Sequence, residues 1–390
     1  MPNDLVHHVK PRFTLDGSAA LEASLEALCH QVRLATLALV PSSRLEGLVL
    51  GGGYGRGQGG VLKTQEGDAP YNDLEFYVFI RGNFLLNRAR YAESFRQLGE
   101  TLSPAAGLHV EFKIDSLEKL RKGPVSIFSY DLVSGHRMVF GTEILFRGCE
   151  HHVDAARILP SEATRLLLNR CSGLLLVKEL LAKPHLTVED CDFIGRNNAK
   201  AKLALGDALL ATEGLYHWDC LERGRRLARL AQQGDRPLIQ ATLKHHAAGV
   251  RFKLHPVRAV RSSEDFKAEH RQITELALRE WLWIENGRLK ANFESLRDYS
   301  FSSNVKCEES RWWRNLLLNM KAFGVGAALE PTRQRYPRER LFNALPLLLG
   351  TTEGPTEPVT RRHLQMQLRT SAQDWPGLVN AYKQLWSTYG

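Results

Sequence analysis

Residues 51–60 read Gly-Gly-Gly-Tyr-Gly-Arg-Gly-Gln-Gly-Gly, seven glycines in ten positions directly after the apolar segment Leu45–Leu50. Glycine loses more backbone freedom on folding than any other residue, so a chain that gathers seven needs a backbone approach that side chains would block. The expectation is a strand running into a turn whose exposed amides form an anion-binding concavity, with phosphate as its natural guest. Two known phosphate loops fit poorly. GxGxxG can be placed on Gly55, Gly57 and Gly60, with Glu75 twenty residues after the first, but that fingerprint opens a helix and residues 63–72 contain Gly67 and Pro70. A P-loop ends in Gly-Lys-Ser/Thr, which is absent here.

The segment that follows is Asn72-Asp73-Leu74-Glu75-Phe76-Tyr77-Val78-Phe79. In a strand, residues two apart share a face, so Asp73 and Glu75 present two carboxylates together while Leu74 and Phe76 face a core. Like charges at that spacing repel unless a cation lies between them, which invites a divalent metal; Mg2+ is the default for oxygen ligands and phosphate substrates. Val110-Glu111-Phe112 sets a further carboxylate inside an apolar strand, and Glu111 is the candidate third ligand, with Asp115 as runner-up. Taken singly, an acidic pair reads as a solvated edge and a glycine run as a loose turn. The order strand, glycine turn, acid-x-acid strand, acid in an apolar strand argues against coincidence.

That order resembles the nucleotidyltransferase fold shared by DNA polymerase β, the aminoglycoside nucleotidyltransferases and the small nucleotidyltransferase toxins. Gly52-Gly53-Tyr54-Gly55-Arg56-Gly57-Gln58 and Asn72-Asp73-Leu74-Glu75 are similar to its motifs position by position, over residues 45–141. The resemblance implies an α+β protein, a nucleotidyltransferase-like mixed sheet with flanking helices followed by an all-α helical bundle. It implies that Gly52 and Gly53 hold the triphosphate of an NTP, with Tyr54 in the same turn and Arg56 touching phosphate or supporting the loop. Asp73, Glu75 and Glu111 would be the catalytic carboxylates and the ligands of two Mg2+ ions, Mn2+ being a substitute. The reaction implied moves an NMP from the NTP to a hydroxyl of a small molecule, protein or RNA and releases pyrophosphate. Departures stand beside the match: Gly53 replaces a serine, Gln58 an acid and Glu75 the commoner aspartate, and 19 residues separate Gly53 from Asp73. The loss of the acid at position 58 motivates an alternative, a nucleotide-binding regulatory module without turnover.

Elsewhere the pattern is helical. Apolar residues from 18 to 39 recur at helix spacing, residues 92–103 read as helix, and strands are expected at 108–114, 126–132 and 137–140. After Pro160 helices dominate, with Ser161 as one cap and Thr187-Val-Glu-Asp190 as a capping box for another. The domain expectation is a catalytic unit over 1–150, a helical bundle forming the acceptor wall over 151–330, and a helical tail over 331–390. Asn198 and Lys202 fall at i and i+4 on one helix face, where the lysine reaches towards a triphosphate. Trp281, Trp283, Trp312 and Trp313 read as core more readily than as a base-stacking platform.

Charge divides unevenly. Residues 1–150 hold 16 Lys+Arg against 17 Asp+Glu, and the remainder 36 against 26, so the net +9 belongs to the second part. Such a surface attracts polyanions, and a basic nucleic-acid-binding protein is the third reading, ranked last because no nucleic-acid module is visible. Six scattered cysteines form no CxxC pair and read as reduced packing residues, and the His pairs at 7/8, 151/152 and 245/246, whose neighbours are expected to point apart, read as surface histidines. The opening lacks signal-peptide order and no stretch approaches the ~20 apolar residues of a span, which leads to the expectation of a cytoplasmic protein without a membrane partner.

Overall fold

Alternation within the apolar segments builds the sheet. In a computed structural model that describes residues 12–258, 261–308, 311–330, 332–351 and 357–390, strands β1 (Leu45–Leu50), β4 (Leu74–Ile80), β5 (Val110–Asp115) and β6 (Arg137–Phe140) join in the order β5-β4-β1-β6. β1 runs antiparallel to β4 and β6, and β4 runs parallel to β5, so the sheet is mixed and the protein is α+β. A hairpin of β2 (Val61–Thr64) and β3 (Gly67–Pro70) stands apart from that sheet and fills the stretch between glycine run and acidic strand.

Both faces of the sheet are covered. Leu48, Leu50, Leu74, Phe76 and Val78 pack with Leu21, Leu25 and Val32 of α1 (Ala19–Leu39) and with Tyr91 and Phe95 of α3 (Phe84–Ala106). Val49, Tyr77 and Phe79 point the other way, onto α4 (Leu117–Lys122), α5 (Ile127–Ser134), Leu145 and Phe146. Each large side chain buried this way contributes about 1.5–3 kcal/mol. α1 begins at Ser18, whose side chain accepts from Leu21 N, and α3 at Asn83, whose side chain accepts from two backbone amides. Segment 126–132, expected as a strand from its aromatic content, is instead the helix α5. Ser126 accepts from Ser129 N at 3.0 Å and Ser129 returns the bond at 2.9 Å, a capping box that outweighs the β-propensity of Ile127, Phe128 and Tyr130.

Among the described residues the other α-helices are α2 (Gly52–Gly55), a single turn, and ten longer ones: α6 (Pro160–Leu181), α7 (Val188–Thr212), α8 (Cys220–Ala231), α9 (Pro237–Leu254), α10 (Ser263–Leu289), α11 (Leu296–Phe301), α12 (Trp312–Phe323), α13 (Glu339–Gly350), α14 (Pro358–Leu368) and α15 (Trp375–Tyr389). Thr187 and Asp190 form the expected box at 3.1 Å in both directions. The chain separates into two units. One takes in the residues up to Glu162 together with Leu210–Asp235 and His246–Val257; the other comprises Ala163–Leu209, Arg236–His245 and Arg258–Gly390. In the second unit every described element is helical. Trp281 is fully buried there against Tyr299 and Phe342, whereas Trp283, Trp312 and Trp313 are exposed. All six cysteines are free and buried. Among the described residues no helix is long and apolar enough to cross a membrane. The His7/His8 pair lies outside the described residues.

Candidate functional site

Strand β1 ends at Leu50, paired with Phe76, and the next amide, Gly51 N–H, donates to Glu75 O at 2.9 Å. That bond seats the glycine turn against the start of β4. Gly52 adopts φ +62, the left-handed region open chiefly to glycine, and a Cβ there would stand 3.6 Å from a Glu75 carboxylate oxygen. The N–H groups of Gly52 and Gly53, at the head of the single turn α2, take no acceptor among the described residues. Much of the glycine density answers to the protein itself: a Cβ on Gly55 would lie 2.1 Å from Leu50 O. The close approach foreseen from composition is therefore partly chain against chain.

Other residues of the turn are fixed inward. Tyr54 is fully buried; its hydroxyl donates to Gly60 O and accepts from Tyr71 N, both at 2.9 Å, and burial pushes its phenol up to about 12. Its side chain shapes the loop from within. Arg56 donates to Asp131 Oδ2 at 2.9 Å, which also accepts from Tyr216, so its side chain is tied to α5. Gln58 is fully buried, donating to Asp219 Oδ1 at 2.6 Å and accepting from Cys220 N at 3.1 Å. Asn72 closes the loop by accepting from Gly60 N at 3.0 Å.

The parallel register of β4 and β5 sets Glu75 opposite Glu111 and Tyr77 opposite Lys113. The Lys113 ammonium lies 3.4 Å from Glu75 Oε1 and 3.2 Å from Glu111 Oε2, and the Tyr77 hydroxyl donates to Glu75 Oε2 at 2.9 Å. The carboxylates keep 33% and 43% side-chain exposure. Burial works against the charge on Lys113, but Glu75 and Glu111 outweigh it and raise its pKa. Burial, then the charge of Glu75, pushes the Tyr77 phenol up, so it stays a donor. Asp73 precedes β4 and is exposed; Asp115 lies at the other end of β5, opposite Phe79. Among the described residues no three His, Cys, Asp or Glu side chains stand as a ready-made metal site. What the strands bring together is Glu75, Glu111 and a lysine, beside the amides of Gly52 and Gly53.

Lys202 has an acidic partner within its own unit. In the second unit it and Asn198 both donate to Glu269, which Arg261 also meets at 2.9 Å, so the i, i+4 pair does share a face. Sequence reasoning passed over Lys113, although its place two residues after Glu111 puts it on the same face. It also passed over Asp131 and Asp219, partners of Arg56 and Gln58 that lie 75 and 161 residues away along the chain. Lys253, half-buried near Arg56, Arg223 and Asp131, has its amine pushed down to about 8 by burial and then by the Arg56 charge. Compared with known protein families and with curated proteins, the chain matches none.

Proposed function

We propose that the first unit is a divalent-cation-dependent nucleotidyltransferase that moves an NMP from an NTP to a hydroxyl acceptor. One observation carries the reading: the Gly51–Glu75 bond places two uncommitted amides beside a carboxylate whose register partner is a second carboxylate. The donor set suits Mg2+, since Asp73, Glu75 and Glu111 offer only hard oxygens and two of them already gather a cation. When bound, the metal supplies neutralisation of the charge that develops on the transferring phosphorus and on pyrophosphate. Gly52 and Gly53 donate their amides to phosphate oxygens, and Glu111, the more exposed strand carboxylate, accepts the proton of the attacking hydroxyl. The acceptor oxygen bonds to the α-phosphorus as the bond to the β-phosphate oxygen breaks.

The test is incubation with each α-labelled NTP, Mg2+ and a cell extract as the acceptor source. Transfer of label is expected, falling at least about a hundredfold in Asp73→Ala and in Glu75→Gln. No transfer with any of the four NTPs would overturn the enzyme reading. A second reading, nucleotide binding without turnover, is favoured by the lysine already neutralising the two glutamates. It predicts a thermal shift with NTP and no pyrophosphate release.

A further inference from the structure

Between the carboxylates of β4 and β5 stands a cation that belongs to the chain. Lys113 reaches both glutamates with one ammonium, which also lies 5.6 Å from the centre of the Tyr77 ring. Two carboxylates on neighbouring strands repel, and either an ammonium or a divalent ion relieves that repulsion. Both cannot hold the same facing oxygens, because two cations in one gap repel each other in turn.

We propose that Lys113 is a tethered counter-cation: its ammonium holds Glu75 and Glu111 until a divalent ion takes them, then withdraws to solvent on its own stem. The inference rests on the reading of Asp73, Glu75 and Glu111 as a divalent-cation site. Withdrawal is open, because the lysine side chain is 39% exposed, its stem is long and unbranched, and its two ion pairs are half in water, where such pairs are weak. The lysine thereby sets a threshold for metal occupancy, and the site fills only above a certain free-ion concentration.

Mn2+ binding to the full-length protein without nucleotide, followed by the paramagnetic resonance of free Mn2+, tests this. Lys113→Met, which keeps the stem and removes the charge, is expected to bind Mn2+ about tenfold more tightly than wild type, the worth of two weak pairs. Lys113→Arg retains the counter-charge and is expected to bind as wild type does. In metal-free buffer Lys113→Met melts below wild type and gains more from Mn2+, and circular dichroism checks that it is folded. Equal or weaker Mn2+ affinity in Lys113→Met would overturn the tether while leaving the metal reading intact. Failure of both proteins to bind Mn2+ at millimolar concentration would overturn the metal reading and the tether with it.

Discussion

Glu75 in the first unit and Glu285 in the second are both glutamates that face donors of their own chain, and they are served very differently. Glu285 is fully buried and takes Thr164 Oγ1 at 2.6 Å, Tyr299 OH at 2.9 Å and both arms of Arg288 at 2.6 and 2.7 Å. Glu75 is a third exposed and takes one hydroxyl at 2.9 Å and one ammonium at 3.4 Å. A buried carboxylate whose lone pairs are all matched is a structural tie, because nothing can be exchanged without leaving a charge stranded. A half-exposed one with a loose partner can trade that partner for a ligand. Donor saturation, more than acidity of the neighbourhood, separates the two.

The sharpest way to break this contrast is to neutralise each in turn. Glu285→Gln strands the Arg288 guanidinium and is expected to cost about 3–5 kcal/mol of stability by urea denaturation. Glu75→Gln, with its partners half in water, is expected to cost less than about 1 kcal/mol. Equal losses would mean that exposure and donor count do not distinguish the two sites.

A third glutamate tests burial without saturation. Glu280 is fully buried, meets Thr242, and leaves Oε2 unpartnered. The Thr242 hydroxyl has one proton and also lies 2.9 Å from Leu238 O, so a protonated Glu280 can donate to Thr242 while Thr242 donates to Leu238 O. Burial accordingly pushes its carboxyl from 4.5 up to about 8. The folded chain therefore keeps a proton that the unfolded chain has lost between those values, and stability falls as pH rises through that window, then levels off. Glu280→Gln has no such proton to lose. Its melting temperature should match wild type near pH 4.5 and exceed it by a few degrees at pH 8, read by scanning calorimetry. A constant difference between the two proteins across that range would contradict a neutral Glu280.

How much of this was legible beforehand depends on whether the signal was local. The strands of β1, β4 and β6 follow from short apolar runs, and the box at Thr187 and Asp190 from its own side chains. That Glu75 and Phe76 lie on opposite faces of β4 follows from period two alone, although the Glu75 face is covered as well, through Tyr77 and Phe79. Segment 126–132 misled because aromatic content suits strands, while the Ser126 and Ser129 bonds that fix the helix are weaker marks in sequence than Thr187 and Asp190. The β2–β3 hairpin left no mark beyond the 19 residues between Gly53 and Asp73, since Gly67 and Pro70 mask its pairing. Pairings such as Gln58 with Asp219 and Lys202 with Glu269 are set by tertiary packing and leave no periodic trace. The glycine run was legible as close approach, but not as to what approaches.

Asp219 offers the most discriminating test of donor saturation, for it stands between the two extremes. Half-buried, it caps α8 by accepting from Leu221 N at 2.8 Å and Glu222 N at 3.3 Å while taking the Gln58 amide at 2.6 Å. Loss of a cap costs about 1 kcal/mol and a stranded buried amide adds a comparable amount, so Asp219→Ala should cost about 2 kcal/mol, below Glu285→Gln and above Glu75→Gln. The same bond explains the glutamine: an acid at position 58 would set a second negative charge against Asp219 in a buried place. Gln58→Glu should therefore destabilise by about 1–3 kcal/mol, and Asp219→Asn in the same chain should restore most of that loss, since the neutral amide removes the repulsion and can donate to the new carboxylate. Absence of rescue in that double-mutant cycle would show that Gln58 is fixed by something other than Asp219.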